Sequence, residues 1–412
     1  MVIDSIPGAD ETWRRVVARL RHDPGERLNT FEEACGRWAS DRGRLALIIR
    51  HPNGTSERWT HHELARASAR AAAVFAALGL ERGDRVASVL TRQVEAWIVA
   101  LAAWRSGLVY VPLFSGFGAE ALAMRLRASG AGAVVVDHRR RDTVETARAD
   151  VPADLPVVTV AGDRGVGLGR GDWSFWAEME RAATPPAEAV TAAADAATLM
   201  FTSGTTSEPK ACVIPHSGFL SLIPFVEHCF AVDTGDLLFA TSDPGWSYGL
   251  YTSGCAPMSV GIPRLLYSGD FDARAWLQVM DAEDVTFATG APTAFRRVLD
   301  AARHTGWPAL LRGASTAGEP LDPDTVVEWA KASGTEIRDG YGLTEVGMIL
   351  ANLGSPGLGV EAGWLAAAVP GFEVELRDLA GAPVEPGQEG VLAIRRPRFQ
   401  LSVGYENAPD SW

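Results

Sequence analysis

Residues 199–216 read LMFTSGTTSEPKACVIPH. A short apolar, strand-like run passes at once into Thr202, Ser203, Gly204, Thr205, Thr206 and Ser207, six small and mostly hydroxylated residues in succession. Such a loop offers clustered backbone N–H groups and hydroxyls without bulk, which is what close wrapping of a polyphosphate requires. Lys210 then supplies a positive charge. The spacing differs from GxxxxGK[ST], so this is not the P-loop of nucleoside triphosphatases, although the physical logic is related. Of the 38 basic residues only two, Lys210 and Lys331, are lysine. Arginine is therefore the default cation of this chain, and a compact ammonium reaches phosphate oxygens as a point charge where a planar guanidinium fork does not fit.

On both sides of this stretch, apolar β-branched runs at 85–90, 109–113, 133–137, 157–160, 237–240, 264–267 and 285–289 alternate with helical patterns. That alternation reads as βαβ units around parallel sheets, an α/β class. Residues 94–104 are apolar nearly all round, the pattern of a helix packed between a sheet and neighbouring layers, which makes Trp97 and Trp104 core residues. The glycine-rich stretch 162–171 lacks a GxGxxG register and reads as a flexible surface loop, and 182–197 as a connector. The basic run 138–142 reads as a solvated strand end. Near the end, 372–377 and 390–395 alternate like strands of a small β subdomain. The organisation expected is a first α/β subdomain over 1–195, a second carrying the nucleotide site over 196–360, and the β subdomain over 361–412.

Composition excludes several classes. With 38 basic and 51 acidic residues the formal net charge is −13, which argues against nucleic acid or an anionic membrane as partner. No apolar run approaches the roughly 18 residues needed to span a bilayer. The opening MVIDSIPGADETWRRVV has early acidic residues and no apolar h-region, so no secretory signal is read and a cytoplasmic location is expected. Cys35, Cys212, Cys229 and Cys255 show no CxxC pair and read as buried, inert thiols.

Two further clusters follow the hydroxyl loop. Asp339-Gly340-Tyr341-Gly342-Leu343-Thr344-Glu345 comes after the strand-like 335–338. An aromatic ring can stack on a base, a threonine can bond a phosphate oxygen, and a glutamate can hold Mg²⁺, which prefers hard oxygen ligands. Just upstream, 313–320 (GASTAGEP) is small enough for a ligand to lie against its backbone.

In this order and spacing the three clusters resemble the adenylate-forming superfamily of acyl-CoA synthetases, peptide-synthetase adenylation domains and luciferases. The family's phosphate loop, commonly TSGTTGxPKG, stands at 202–211, its YGxTE signature at 341–345 and its GEP adenine segment at 318–320; the resemblance covers almost the whole chain. It is most like the acetyl-, medium-chain and aryl-acid CoA ligases, through 109–114 (VYVPLF), Asp243-Pro244-Gly245-Trp246, Ala291-Pro292-Thr293 and 390–395.

The resemblance implies a two-step reaction. A carboxylate attacks the α-phosphorus of MgATP to give acyl-AMP and pyrophosphate, and the CoA thiol then displaces AMP. It implies that Thr202, Ser203, Gly204, Thr205, Thr206 and Lys210 hold the β- and γ-phosphates, that Thr344 contacts the α-phosphate, and that Glu345 holds the metal. Tyr341 stacks along adenine, Asp339 meets its amino group, and Gly318, Glu319 and Pro320, with Gly340 and Gly342 nearby, close the base pocket. Trp246, Tyr248, Ala317, Gly342 and Gly347 line the acyl site and CoA passage. The implied ligands are ATP or AMP, Mg²⁺, CoA and a small carboxylic acid or acyl-adenylate. No aspartate takes the place near Trp246 that amino-acid-activating relatives use for the substrate amine, so a plain carboxylic acid is expected; acetate, medium-chain, aryl and polycyclic acids are all compatible.

The sequence departs from the pattern in places. Ser207 and Ala211 replace the usual glycines, and Glu208 puts a carboxylate in the loop. A left-handed Ser207 costs about 1 to 2 kcal/mol, and an inward Glu208 about 7 Å from a phosphate charge adds roughly 2 kcal/mol of repulsion at an effective dielectric near 20. Both penalties fall on ATP and spare acyl-AMP. Two alternatives therefore stand beside the full ligase: one that performs only the thioesterification of a supplied acyl-AMP, and a non-catalytic nucleotide or acyl-AMP binder. At 363–370 a family glycine is replaced by Ala366. The chain ends at 404–412 (GYENAPDSW), where the family continues to a TGD segment and a mobile C-terminal domain, so that domain is expected to be missing here.

Overall fold

The computed structural model describes residues 8–408 except 153, 163–165, 183–184, 203–208, 355–359, 366 and 407. Two large sheets carry the fold. Among the described residues the first has seven strands, in the spatial order Trp173–Ser174, Val157–Val160, Ala133–Asp137, Arg85–Val89, Val109–Pro112, Ala196–Thr202 and Lys210–Pro215. Its neighbours run parallel except for the last pair, an antiparallel hairpin. Ala133–Asp137 and Val157–Val160 are buried at every residue, as strands covered on both faces must be, and this is why they read as unbroken valine-rich runs.

Among the described residues the second sheet has nine strands, ordered Ala367–Ala368, Gly347–Ala351, Glu336–Leu343, Gly313–Ala317, Phe287–Gly290, Leu238–Ala240, Arg264–Tyr267, Leu45–Arg50 and Ser56–Thr60. It is parallel in the middle and antiparallel at both edges. A separate antiparallel pair, Glu373–Arg377 with Val391–Arg395, forms the small terminal β unit. The α/β class with parallel-rich sheets and a small β unit is the architecture expected from the sequence.

The sheets do not follow the chain division at residue 195. Strand Ala196–Thr202 joins the first sheet beside Val109–Pro112, through Tyr110 opposite Thr198. Leu45–Arg50 belongs to the second sheet, paired with Arg264–Tyr267. Sheet partners are chosen by buried faces and not by proximity in sequence.

Helix Val94–Ser106 is the wedge between the sheets, buried at Val94 and from Ala96 through Arg105. Trp97 and Trp104 lie seven residues, about two helical turns, apart and so on one stripe. The Arg264 guanidinium of the second sheet lies over the Trp97 ring at 3.8 Å. The Trp104 indole donates to the Ala197 carbonyl and to Thr198 Oγ1 of the first, at 3.2 and 3.1 Å.

Two expectations are corrected. The basic run 138–142 is not simply solvated: Arg139 donates to Asp137 at 2.8 to 2.9 Å, and the buried Arg141 makes paired bonds to the buried Asp172 at 2.6 and 2.7 Å. A guanidinium can leave water when a carboxylate matches its fork. That same Asp172 accepts from Gly169 N at 2.8 Å, so the described part of the glycine-rich stretch is tethered to the sheet. The four cysteines are buried free thiols, as expected. Burial pushes Cys35, Cys212 and Cys229 up to about 12, which keeps them protonated.

Candidate active site

Strands Gly313–Ala317 and Glu336–Leu343 run parallel, with Thr316 opposite Asp339 and Ala317 opposite Gly340. Their C-terminal ends open a cavity of about 500 Å³ lined by Gly318, Glu319, Pro320, Asp339, Gly340, Tyr341 and Gly342, with Asn352 and Trp364 on the far wall. All seven residues that the sequence assigns to the base pocket thus face one space, at the sheet edge where α/β proteins place ligands.

The polar lining is fixed by hydrogen bonds. Asp339 Oδ1 accepts from Thr316 Oγ1 and from Gly340 N, each at 3.0 Å. Burial nevertheless raises the Asp339 carboxyl above its ordinary range, outweighing those bonds. Asn352 Oδ1 accepts from Asp339 N at 2.8 Å while its amide donates to the Trp364 carbonyl at 2.7 Å, which ties the strand to the opposite wall. Tyr341 is 41% exposed and Trp364 67%, leaving two aromatic faces open to a ligand. Glu319 is held by Thr293, whose hydroxyl and backbone N–H both donate to Oε2.

The strand bearing Asp339 and Tyr341 turns back into Gly347–Ala351 by a tight hairpin with Leu343 opposite Gly347. Gly347 has φ +105°, a backbone angle that side chains disfavour, and this sharpens the turn. Thr344 and Glu345 are consequently presented at the tip. Thr344 Oγ1 lies 3.0 Å from Ser247 Oγ. Glu345 Oε1 accepts from the Tyr405 hydroxyl at 2.6 Å, and the Lys210 ammonium sits 4.9 Å from the centre of the Tyr405 ring.

Segment 401–406 brings these groups together. Leu401 and Ser402 N–H donate to the carbonyls of Val346 and Glu345 in the hairpin, while Val403 N–H donates to the Val213 carbonyl of strand Lys210–Pro215 at 2.9 Å. Val213 N–H in turn donates to the Gly404 carbonyl at 2.8 Å, and Glu406 N–H to the Ala211 carbonyl at 2.9 Å. Lys210 from the first sheet and Glu345 from the second are thereby stitched to one strip of backbone.

On the other side of Thr344 stands Trp246, 37% exposed, against Phe114 and Phe117 at ring separations of 5.4 and 5.9 Å. The turn beneath it is closely packed: a Cβ at Gly245 would lie 2.5 Å from Phe114 Cα, and one at Gly249 only 2.2 Å from the Asp243 carbonyl oxygen. Asp243 is buried, accepts from Gly245 N at 2.7 Å and Ser115 Oγ at 3.0 Å, and has its carboxyl pushed up by that burial. Its carboxylate serves the turn. The Tyr248 hydroxyl is buried toward Ser315. Ala317 and Gly342 stand at the strand ends beside the cavity, while a Cβ at Gly347 would meet Ser221 and Leu222.

Ser203, Gly204, Thr205, Thr206, Ser207 and Glu208 lie outside the described residues, as does Ala366. Thr202 and Lys210 are described, paired across the hairpin that flanks the loop. Ala211 is a buried strand residue. Among the described residues no group of three or more His, Cys, Asp or Glu could form a metal cage. The Glu345 carboxylate beside the Thr344 hydroxyl is a hard oxygen set that suits Mg²⁺, an ion bound through one or two carboxylates together with substrate phosphates.

Sequence reasoning missed Tyr405, Ser247, Phe117, Asn352 and Trp364. Asn352, one residue past strand Gly347–Ala351, is the one with a local signal: a polar amide directly following an apolar strand. The others owe their place to distant chain segments.

A family profile described as "AMP-binding enzyme" matches residues 31–406. Similar curated proteins include the mitochondrial acyl-coenzyme A synthetase ACSM5 of Mus musculus, 30% identical over 83% of this chain and 59% of the relative, and ACSM3 of the same species, 30% identical over 87% and 62%. An acyl-CoA synthetase structure from Brucella canis is 31% identical with a TM-score of 0.88, over 97% of this chain and 74% of that one. An anthranilate CoA ligase solved with anthranoyl-AMP shares the fold at 22% identity and TM-score 0.83, over 92% and 71%. The chain spans 59% of the length of the first of these curated relatives.

Proposed function

The chain belongs to the AMP-binding enzyme family, and from that premise we propose that it is the nucleotide- and acyl-binding part of an acid–thiol ligase that makes acyl-CoA through acyl-AMP. The observation that carries this reading is the Thr344–Glu345 hairpin tip. On one side its strand lines the 500 Å³ cavity. On the other it meets Ser247, next to Trp246, and Tyr405 with Lys210. Base pocket, α-phosphate contact, β,γ-phosphate cation and acyl wall thus follow one another around a single turn.

In this reading adenine lies along Tyr341 with its amino group toward Asp339, over the backbone of Gly318, Glu319 and Pro320. Thr344 contacts the α-phosphate, while Lys210, with Thr202 and the hydroxyl loop, faces the β- and γ-phosphates. Glu345 would hold Mg²⁺, which supplies neutralisation of phosphate charge when bound. The acid carboxylate is aligned beside Trp246 and Tyr248 for attack on the α-phosphorus, with pyrophosphate leaving; the CoA thiolate then attacks the acyl carbon and AMP leaves. Little covalent work by the protein is needed, because positioning and charge stabilisation supply most of the acceleration in such transfers. The substrate is a plain carboxylic acid, since Asp243 is committed to its own turn. Buried protonated thiols fit a reducing compartment, which supports the cytoplasm as its location.

Calorimetry with MgATP and a nonhydrolysable acyl-AMP analogue tests the reading on this chain. Both ligands are expected to bind, and Lys210→Ala to weaken MgATP by at least about tenfold while sparing the analogue, which lacks the outer phosphates. No binding of either ligand overturns the proposal.

A further inference from the structure

Lys210 and Glu345 carry opposite charges into one small site, and among the described residues each makes a contact there with Tyr405. One side chain touches both. The Tyr405 ring takes the Lys210 ammonium on its face at 4.9 Å, and its hydroxyl donates to Glu345 Oε1 at 2.6 Å. The ring is anchored from behind, because segment 401–406 is bonded to strand Lys210–Pro215 and to the hairpin at Glu345 and Val346, and Cys212 and Tyr405 form an antiparallel bridge.

We propose that Tyr405 is a positioning residue that keeps Lys210 and Glu345 apart, so that the ammonium stays available to an anionic polyphosphate and the carboxylate to a cation. The inference rests on the function proposed above. An aromatic face satisfies a cation more weakly than a carboxylate does, so phosphate can displace it. A direct Lys–Glu bond would cancel both charges and would have to be broken before either could act. The hydroxyl bond gives the Glu345 carboxylate a partner other than the ammonium.

The test is ATP binding by calorimetry in the presence of a chelator, which removes any metal-holding role of Glu345, with AMP as the internal control. Tyr405→Leu is expected to lower ATP affinity about tenfold and to leave AMP within about twofold, because AMP lacks the phosphates that Lys210 faces. Tyr405→Phe, which retains the ring face, is expected to keep most of the ATP affinity. In a Glu345→Gln background the Leu substitution should cost less than about threefold, because Lys210 has lost its competing partner; a merely structural role would cost the same in both backgrounds.

Equal losses in the two backgrounds, equal loss of ATP and AMP, or a Phe variant as impaired as Leu would each overturn the proposal. If Tyr405→Leu does not fold, the Phe variant alone decides between ring and hydroxyl. Wild-type protein that binds neither ATP nor AMP would refute the ligase reading and this inference with it, whereas wild-type binding with the wrong variant pattern would overturn this inference alone.

Discussion

Strand Ala133–Asp137 of the seven-stranded sheet is buried at every position, whereas Glu336–Leu343 of the nine-stranded sheet passes from buried to exposed toward its end. The first is filled with valines that pack on both faces. The second carries Gly340 and Gly342, where missing side chains let Phe225 and Met348 pack against Gly340 and the hairpin backbone at Gly347 and Met348 approach Gly342. Each sheet also buries an arginine, and treats it differently. Arg141 has a matched carboxylate in Asp172. Arg264 has no hydrogen-bond partner for any of its three guanidinium nitrogens among the described residues and lies on the Trp97 face. The first sheet matches its buried charge, while the second holds an unpaired one in its core, on a strand well away from the cavity edge.

The largest expected effect tests the first sheet. Trp104→Ala removes a fully buried indole and both of its hydrogen bonds, and should cost about 3 to 5 kcal/mol in urea unfolding. AMP affinity of the protein that remains folded should be unchanged; a coupled loss of binding would erase the contrast between the sheets.

Arg141→Ala should cost about 3 kcal/mol by stranding Asp172. Burial alone would raise the Asp172 carboxyl, but bonds from Arg141, Thr159 and Gly169 outweigh it and hold the group below its ordinary 3.8. Its folded pKa is depressed, so its stabilisation is present above about pH 4 and is lost as pH falls through the lowered folded value. The wild type should therefore lose more stability than the variant on acidification below pH 4, and parallel acid titrations of the unfolding midpoint check this.

Gly342→Ala probes the second sheet. Its Cβ would lie 2.3 Å from the Gly347 carbonyl oxygen and 2.8 Å from Met348 Cα, both backbone. A cost of about 1 to 3 kcal/mol is expected, with AMP binding weakened by at least about tenfold because the turn bearing Thr344 must shift. Retained AMP affinity would separate the hairpin from the nucleotide site.

The smallest effect has the opposite sign. Arg264→Met exchanges a buried, unpaired cation, whose pKa burial lowers to about 9, for an apolar chain of similar length. Thermal unfolding should rise, corresponding to about 1 kcal/mol of added stability. A lowered midpoint would mean that the stack on Trp97 outweighs the desolvation of the charge.

Much of this was legible from residue order. Valine-rich runs named the inner strands because a strand covered on both faces must be apolar throughout. Small residues at 313–320 and 339–342 were legible as places where a ligand can lie against backbone, and the family resemblance is what marked them as an expected base pocket. The basic run 138–142 misled because charge in sequence does not reveal a buried carboxylate thirty-one residues away from Arg141.

The sequence by itself determined the α/β class and the wedge helix, which depend on local periodicity, and through the family resemblance it named one wall of the cavity but not Asn352 and Trp364 on the other. Tertiary structure alone decided which strands share a sheet across residue 195, and that Tyr405, sixty residues beyond Glu345, touches both that carboxylate and Lys210. Strand pairing and the meeting of charges from two sheets are set by long-range burial and hydrogen bonding, for which neighbouring residues in the chain carry no signal.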